Sequence, residues 1–336
     1  MISQSRQFSS GSLRRLLGTL LPLGFTLVYG CSAKASSGRR IAKVQWDTVW
    51  RTNRSFMDSV LPAPTLMTFN RGTLFVFDPA MARLAALDAK TGALLWKVGR
   101  VGQGPQEFAG VSALFLDRAG GVGVVDIRNG RIARVSALGQ FTGLVPTATV
   151  GHQANEVCAF GDNRFVAADV GTSTPLVLDS MGGLIKKLSP IWQDLVDAPS
   201  NDSRQVLLWN DETGKRCLVA LLSGRGFALL SPDRAPVVAR YAEDFDVYGV
   251  GERKGEGEIK FAAIYDAEFV ADTVLILFSG RTPDKARLID RFSATSGKYL
   301  GTYLLPFKTV EFAAGGGMVF ELDPSETNII AVRLRR

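Results

Sequence analysis

The sequence contains a single histidine, His152, and that scarcity excludes more than any residue present. A zinc site built on three histidines is impossible. A serine, histidine and acid triad would have to use His152, and no Gly-x-Ser-x-Gly elbow accompanies it. Cysteine is also scarce, with three in 336 residues, at positions 31, 158 and 217. No uninterrupted apolar run reaches the roughly 20 residues a membrane helix needs. The formal net charge is +7, yet residues 1–30 hold Arg6, Arg14 and Arg15 and no acid. Setting those aside leaves 36 basic against 32 acidic residues, a net of +4. No Lys/Arg run with interleaved aromatics remains, so nucleic acid is not an expected partner.

What is abundant is the material of short strands. Val, Leu, Ile and Phe come in bursts, punctuated by 35 glycines and by Asp, Asn, Ser and Pro. The N-terminus differs from the rest. Arg14-Arg15 precedes an apolar stretch over residues 16–28, which has the length of a signal-peptide core rather than of a membrane span. It ends in Val28-Tyr29-Gly30-Cys31, which resembles the lipobox of bacterial lipoproteins. The resemblance implies cleavage before Cys31 and lipid attachment to it. With Ser32 next, it also implies sorting to the outer membrane. The expected organisation is a signal peptide over 1–30, a flexible tether over 31–40 and one domain over 41–336. Cys158 and Cys217 each sit in an apolar strand. They either pair or serve as buried small hydrophobes, and the reading favours unpaired thiols.

An internal repeat organises the domain. Leu74-Phe75-Val76-Phe77-Asp78 is an apolar strand ending in Asp, followed by Arg83-Leu84-Ala85, Asp88 and the turn Thr91-Gly92. Val124-Val125-Asp126 with Arg131-Ile132-Ala133 repeats it, as do Phe165 to Asp169 with Leu176 to Asp179, and Val319-Phe320-Glu321-Leu322-Asp323 near the end. Taking Asp78, Asp126, Asp169, Ser279 and Asp323 as equivalent, the steps are 48, 43, 110 and 44 residues. The long step is twice 55, so a degenerate unit must lie within it, near Val206 to Val238. A period of 40–50 residues with four strands is the mark of a propeller blade. The expected fold is therefore an all-β propeller of six four-stranded blades, with seven or eight as alternatives. The strand-end Asp residues are expected to cap tight turns through their own backbone. An orphan strand, Ile41 to Trp46, is expected to pair into the last blade and close the ring.

Two resemblances support this fold. Gly99 to Phe108, then Leu114 to Gly121, then Asp126-Ile127-Arg128-Asn129-Gly130-Arg131-Ile132, resembles the NHL-type repeat of six-bladed propellers. Asp88-Ala89-Lys90-Thr91-Gly92-Ala93-Leu94-Leu95-Trp96 resembles the repeat of quinoprotein-like propellers. Two functions follow as expectations. The first is a monomeric binding or scaffold module at the cell envelope, with a protein or peptide partner and no catalytic residues, metal or cofactor. The second, implied by the six-bladed resemblance, is a hydrolase or lactonase-like enzyme holding calcium in its channel through oxygen ligands. Candidate oxygens are Glu107, Asn155, Glu156 and Asp266. His152 is expected to be an ordinary loop residue, residues 189–204 either a partner-contacting loop or a disordered insert, and residues 254–258 a polar hairpin tip or a blade insertion.

Overall fold

The computed structural model describes residues 39–147, 154–169, 175–188, 206–221, 226–242, 264–278, 284, 286–323 and 328–335. Cys31, His152 and the segments 189–204 and 254–258 lie outside them. The described residues form 25 strands and one short helix. Two strands precede the first blade, β1 (Ile41–Ala42) and β2 (Trp46–Arg51). Blade 1 comprises β3 (Leu66–Asn70), β4 (Thr73–Asp78), β5 (Arg83–Asp88) and β6 (Leu94–Val98). Blade 2 comprises β7 (Val111–Leu116), β8 (Val122–Asp126), β9 (Arg131–Val135) and β10 (Phe141–Pro146). Blade 3 comprises β11 (Ala154–Ala159), β12 (Phe165–Asp169), β13 (Leu176–Leu178) and β14 (Leu184–Lys187). Blade 4 comprises β15 (Val206–Asn210), β16 (Cys217–Leu221), β17 (Gly226–Ser231) and β18 (Arg234–Arg240), where the degenerate unit was expected. Blade 5 comprises β19 (Ile264–Val270), β20 (Thr273–Phe278), β21 (Leu288–Ser293) and β22 (Tyr299–Leu304). Blade 6 holds β23 (Phe312–Gly315), β24 (Met318–Asp323) and β25 (Asn328–Leu334).

Each blade is an antiparallel meander whose first strand is innermost, so this is a six-bladed β-propeller. A twisted four-stranded sheet with two apolar faces cannot bury both alone. Here each junction between neighbours is filled by its own apolar cluster, six in all among the described residues. Phe75, Phe77, Phe108, Phe227, Phe292 and Phe320 are almost wholly buried in these junctions. No helix of the described residues is long and apolar enough to cross a membrane.

Ring closure differs from expectation by one strand. The fourth strand of blade 6 is β2, antiparallel to β25 with Trp50 opposite Ala331. Ile41–Ala42 instead pairs in parallel with β22, as a fifth strand on blade 5. The physical reason lies in the side chains. Arg39 stacks on Phe278 and makes a buried two-pronged ion pair with Asp290, which fixes this segment beside blade 5. Trp50 fixes the next segment beside blade 1. Its indole lies over Gly92 of the Thr91-Gly92 turn and donates to the Ala89 carbonyl at 2.9 Å.

Trp96 repeats that contact one junction on. It lies over Gly139 and donates to the Ala137 carbonyl at 2.8 Å. Both turns need a glycine, because φ is positive (+73° and +79°) and a Cβ would strike the indole. Replacing Trp96 with Ala should cost on the order of 3 kcal/mol in denaturant unfolding. A cost near zero would refute this docking account.

The cysteines correct the second expectation. Cys158 of β11 and Cys217 of β16 form a disulfide, with Cα atoms 6.2 Å apart, within the apolar cluster between blades 3 and 4. The strand-end aspartates also do more than cap a turn. Asp78 accepts from Met81 N, in its own turn, and from Ala63 N of the incoming connection. Asp126 accepts from Gly110 N and from the Asn129 side chain. Arg131 grips the carbonyls of Gly104 and Glu107. The Gly-rich loop between blades 1 and 2 is thereby buckled onto blade 2. Its chemistry is structural, and it forms no phosphate cradle.

Candidate functional site

The inner strands surround the propeller axis. Near their starting ends they enclose a cavity of about 160 Å³ to which all six blades contribute. Four carboxylic side chains line it: Glu156 on β11, Asp266 and Glu268 on β19, and Glu311 just before β23. The rest of the described lining is apolar or neutral and includes Ser112, Leu208, Trp209 and Tyr265. It contains no Lys, Arg or His.

Local backbone geometry aims these groups. The inner strands of blades 2, 3 and 5 each carry a register shift near their start, passing over Ser112, Asn155 and Tyr265. A bulge inserts one residue and redirects the side chains before it relative to those after it. Glu156 and Asp266 are each the first paired residue after such a bulge. The bulges are also linked, because the Ser112 hydroxyl donates to the Asn155 carbonyl at 2.6 Å.

The carboxyl groups brace neighbouring blades. Asp266 Oδ1 accepts from Trp209 Nε1 of blade 4 at 2.8 Å and from Ala267 N at 2.7 Å. Its Oδ2 accepts from Phe312 N of blade 6 at 2.9 Å. Glu311 accepts from Met67 N of blade 1 at 2.8 Å. Glu268 meets the Thr68 hydroxyl only at 3.4 Å. Towards the other end of the inner strands, Asn210 bonds both N and O of Leu116, tying blade 4 to blade 2 across the axis.

Burial dominates the electrostatics. Asp266 and Glu268 are only 6% and 4% exposed. Burial pushes Asp266 up to about 7, even against its three hydrogen bonds. Burial likewise raises Glu156, Glu268 and Glu311 well above the usual carboxylate range, and the negative charge of Asp266 adds to each. Four like charges in one small cavity cannot all be ionised without a compensating cation. At neutral pH the site must hold protons or take up positive charge.

The structure thus unites two of the four candidate oxygens, Glu156 and Asp266, and separates the others. Glu107 is half-buried in the buckle loop, bonded to Gly104 N and Arg100, and held below the usual range by those bonds. Asn155 is not part of the cavity lining. Glu268 and Glu311 escaped the sequence reading. Calcium prefers six to eight converging oxygens. Among the described residues no three Asp, Glu, His or Cys side chains stand close enough together to hold a metal ion. The donor chemistry suits a hard cation, but the spacing does not form a calcium cage.

No protein-family profile matches the chain, and no well-characterised protein matches its sequence. Solved structures do resemble it. The likeness is one of fold. A Bacteroides fragilis protein inferred to be exported superposes with a TM-score of 0.58 at 12% identity, covering 88% of this chain and 95% of that one. Virginiamycin B lyase from Staphylococcus aureus gives 0.51 at 10% identity, covering 87% and 100%. The WD40 repeats of RRP9 give 0.52 at 9% identity, covering 89% and 99%. These identities establish the propeller and nothing about chemistry.

Proposed function

We propose that this chain is an exported, lipid-anchored propeller that acts as a binding module at the cell envelope, with the acidic channel as its ligand seat. The observation that carries the reading is the channel itself. Four carboxyl groups from three blades share a cavity whose described lining offers no positive side chain. The ligand that fits is a positively charged group, such as a lysine or arginine side chain presented by a partner. Calorimetric titration with a lysine-rich peptide at pH 7 should show binding to the purified protein. The double variant Glu268→Gln/Glu311→Gln should lose most of it. Equal binding by both proteins, or none by either, rejects the reading.

Export rests on the apolar stretch before Cys31, and the Cys158–Cys217 disulfide supports it, because such bonds persist in oxidising compartments. Changing Cys31 to Ser should move the protein from the membrane to the soluble fraction of its host. Unchanged membrane association would rule out lipid at Cys31.

A calcium-dependent hydrolase is the second reading, favoured by the arrival of Glu156 and Asp266 in the channel. In the described conformation the residues do not converge on a cation, so no catalytic step is assigned. A calcium-dependent rise in melting temperature, reversed by chelator, would bring this reading forward.

A further inference from the structure

The channel acids do not converge on one point. Glu156 of blade 3 and Glu311 of blade 6 come from opposite sides of the axis, because those blades stand three places apart in a ring of six. Asp266 and Glu268 follow one another on the same face of β19. Two residues of strand put them about 7 Å apart along it. Negative charge is thus distributed both along and across the channel. No three of these described carboxyls stand close enough to share a metal ion.

The unspent acceptors are distributed in the same way. Asp266 is committed, with Trp209 Nε1, Ala267 N and Phe312 N all donating to it. It supplies charge and stays in place. Glu311 spends only Oε1, on Met67 N. Glu268 is 4% exposed, yet its carboxyl meets only the Thr68 hydroxyl, at 3.4 Å. Glu268 Oε2 and Glu311 Oε2 accept nothing from the described residues. A carboxyl so buried and so poorly bonded costs free energy until a proton or a ligand completes it. The lining between the acids is largely apolar, with Ala113, Leu114 and Leu208, and Trp209 and Tyr265 add aromatic rings. Methylene groups suit the first, and ammonium groups suit the second.

We propose that the channel binds a linear polyamine, a flexible alkyl chain carrying two or more ammonium groups. The inference rests on the reading of the channel as a seat for positive charge, and it commits to the chemistry of the occupant. Short methylene spacers separate the ammonium groups of such a molecule, so its charge is spread as the carboxyls are spread. Its ammonium donors complete Glu268 and Glu311, and its methylenes lie against the apolar wall. A single lysine side chain brings only one charge. A peptide presenting two of them at this depth would carry its backbone among mostly apolar residues, where its N–H and C=O groups would go unpaired. A polyamine has no such groups to satisfy.

The test is calorimetric titration of the purified protein at pH 7 and physiological salt, which screens loose surface attraction. The probes are spermidine, putrescine and butylamine, which carry three, two and one ammonium groups, with the lysine-rich peptide alongside. Spermidine is expected to bind at least about tenfold more tightly than butylamine, with putrescine between them. Glu268→Gln should weaken spermidine at least about tenfold. In the unsubstituted protein, spermidine should shift the backbone N–H resonances of Met67, Ala267 and Glu268, and this arm decides if the variant fails to fold. Peptide binding with no preference for spermidine over butylamine overturns the polyamine and leaves the cation seat standing. No binding by any probe removes both. Spermidine binding that Glu268→Gln leaves unchanged, or that shifts no channel resonance, also overturns the proposal.

Discussion

The unfolding midpoint of this propeller should fall as pH rises from about 5 to 8, the reverse of a protein held together by ion pairs. A carboxyl group whose folded pKa exceeds its unfolded value contributes stability below the unfolded pKa and loses it as pH climbs through the folded one. Asp266 moves from 3.8 to about 7. That shift alone corresponds to something on the order of 4 kcal/mol. Glu156, Glu268 and Glu311 move in the same direction. So does Glu321 of β24, wholly buried outside the channel and raised by burial to about 8. Asp47, Asp88, Glu107 and Asp117 shift the other way, and of these Asp117 is the buried one. Burial pushes Asp117 up, but the Arg134 guanidinium, the Ala119 N–H and nearby positive charge outweigh it, and the net shift is downward. Its contribution is lost as pH falls below the usual carboxylate range. The midpoint should therefore peak in mildly acidic solution. Glu268→Gln/Glu311→Gln should flatten the alkaline limb, since amides cannot ionise. A midpoint that rises steadily to pH 8 would contradict the burial of these groups in protonated form.

The second large effect concerns the disulfide. Cys158 and Cys217 are 59 residues apart in sequence and join blades 3 and 4. Closing a loop of that length restricts the unfolded chain by about 4 kcal/mol in the chain-entropy account. Both cysteines are fully buried, so replacing them with alanine leaves little new polar surface. The double variant Cys158→Ala/Cys217→Ala should melt roughly 6 °C lower than the parent. Reductant should lower the parent's midpoint in denaturant and leave the variant's unchanged. Identical midpoints for parent and variant would mean that this junction is held by packing alone.

Blade number was legible because propeller repetition is local. Asp78, Asp126, Asp169 and Asp323 mark equivalent strand ends, and the long gap located blade 4 by arithmetic. The closing strand was misplaced because two adjacent segments both read as strands. Ile41 to Trp46 has the alternation of a half-buried strand, whereas the closing segment is marked by Trp50. The available signal was the relation of Trp50 to the Thr91-Gly92 turn, the same relation Trp96 has to the next blade. The disulfide was not legible, since cysteines 59 residues apart approach only when two blades stack.

The acidic channel was half legible for a related reason. Its members come from blades 3, 5 and 6, so no sequence spacing connects them. Each did carry a local anomaly, an acid within or beside an apolar inner strand: Glu156 before Val157-Cys158, Glu268 between Ala267 and Phe269, Glu311 before Phe312-Ala313. An acid in such a place costs free energy unless it is bonded, protonated or matched by a cation. Glu107 precedes Phe108-Ala109 just as Glu311 precedes Phe312-Ala313, so this local pattern does not by itself separate a loop acid from a channel acid.

Carboxyl-carbon NMR across a pH titration, with glutamate and aspartate side chains labelled, tests the channel most directly. The account predicts a distinct set of carboxyl resonances that titrate well above the usual range, including an aspartate near 7. Their midpoints should fall when a lysine-rich peptide is added. If every aspartate and glutamate of the folded protein titrates below about 5, the channel holds no proton-loaded acidic site, and the proposed ligand seat is wrong.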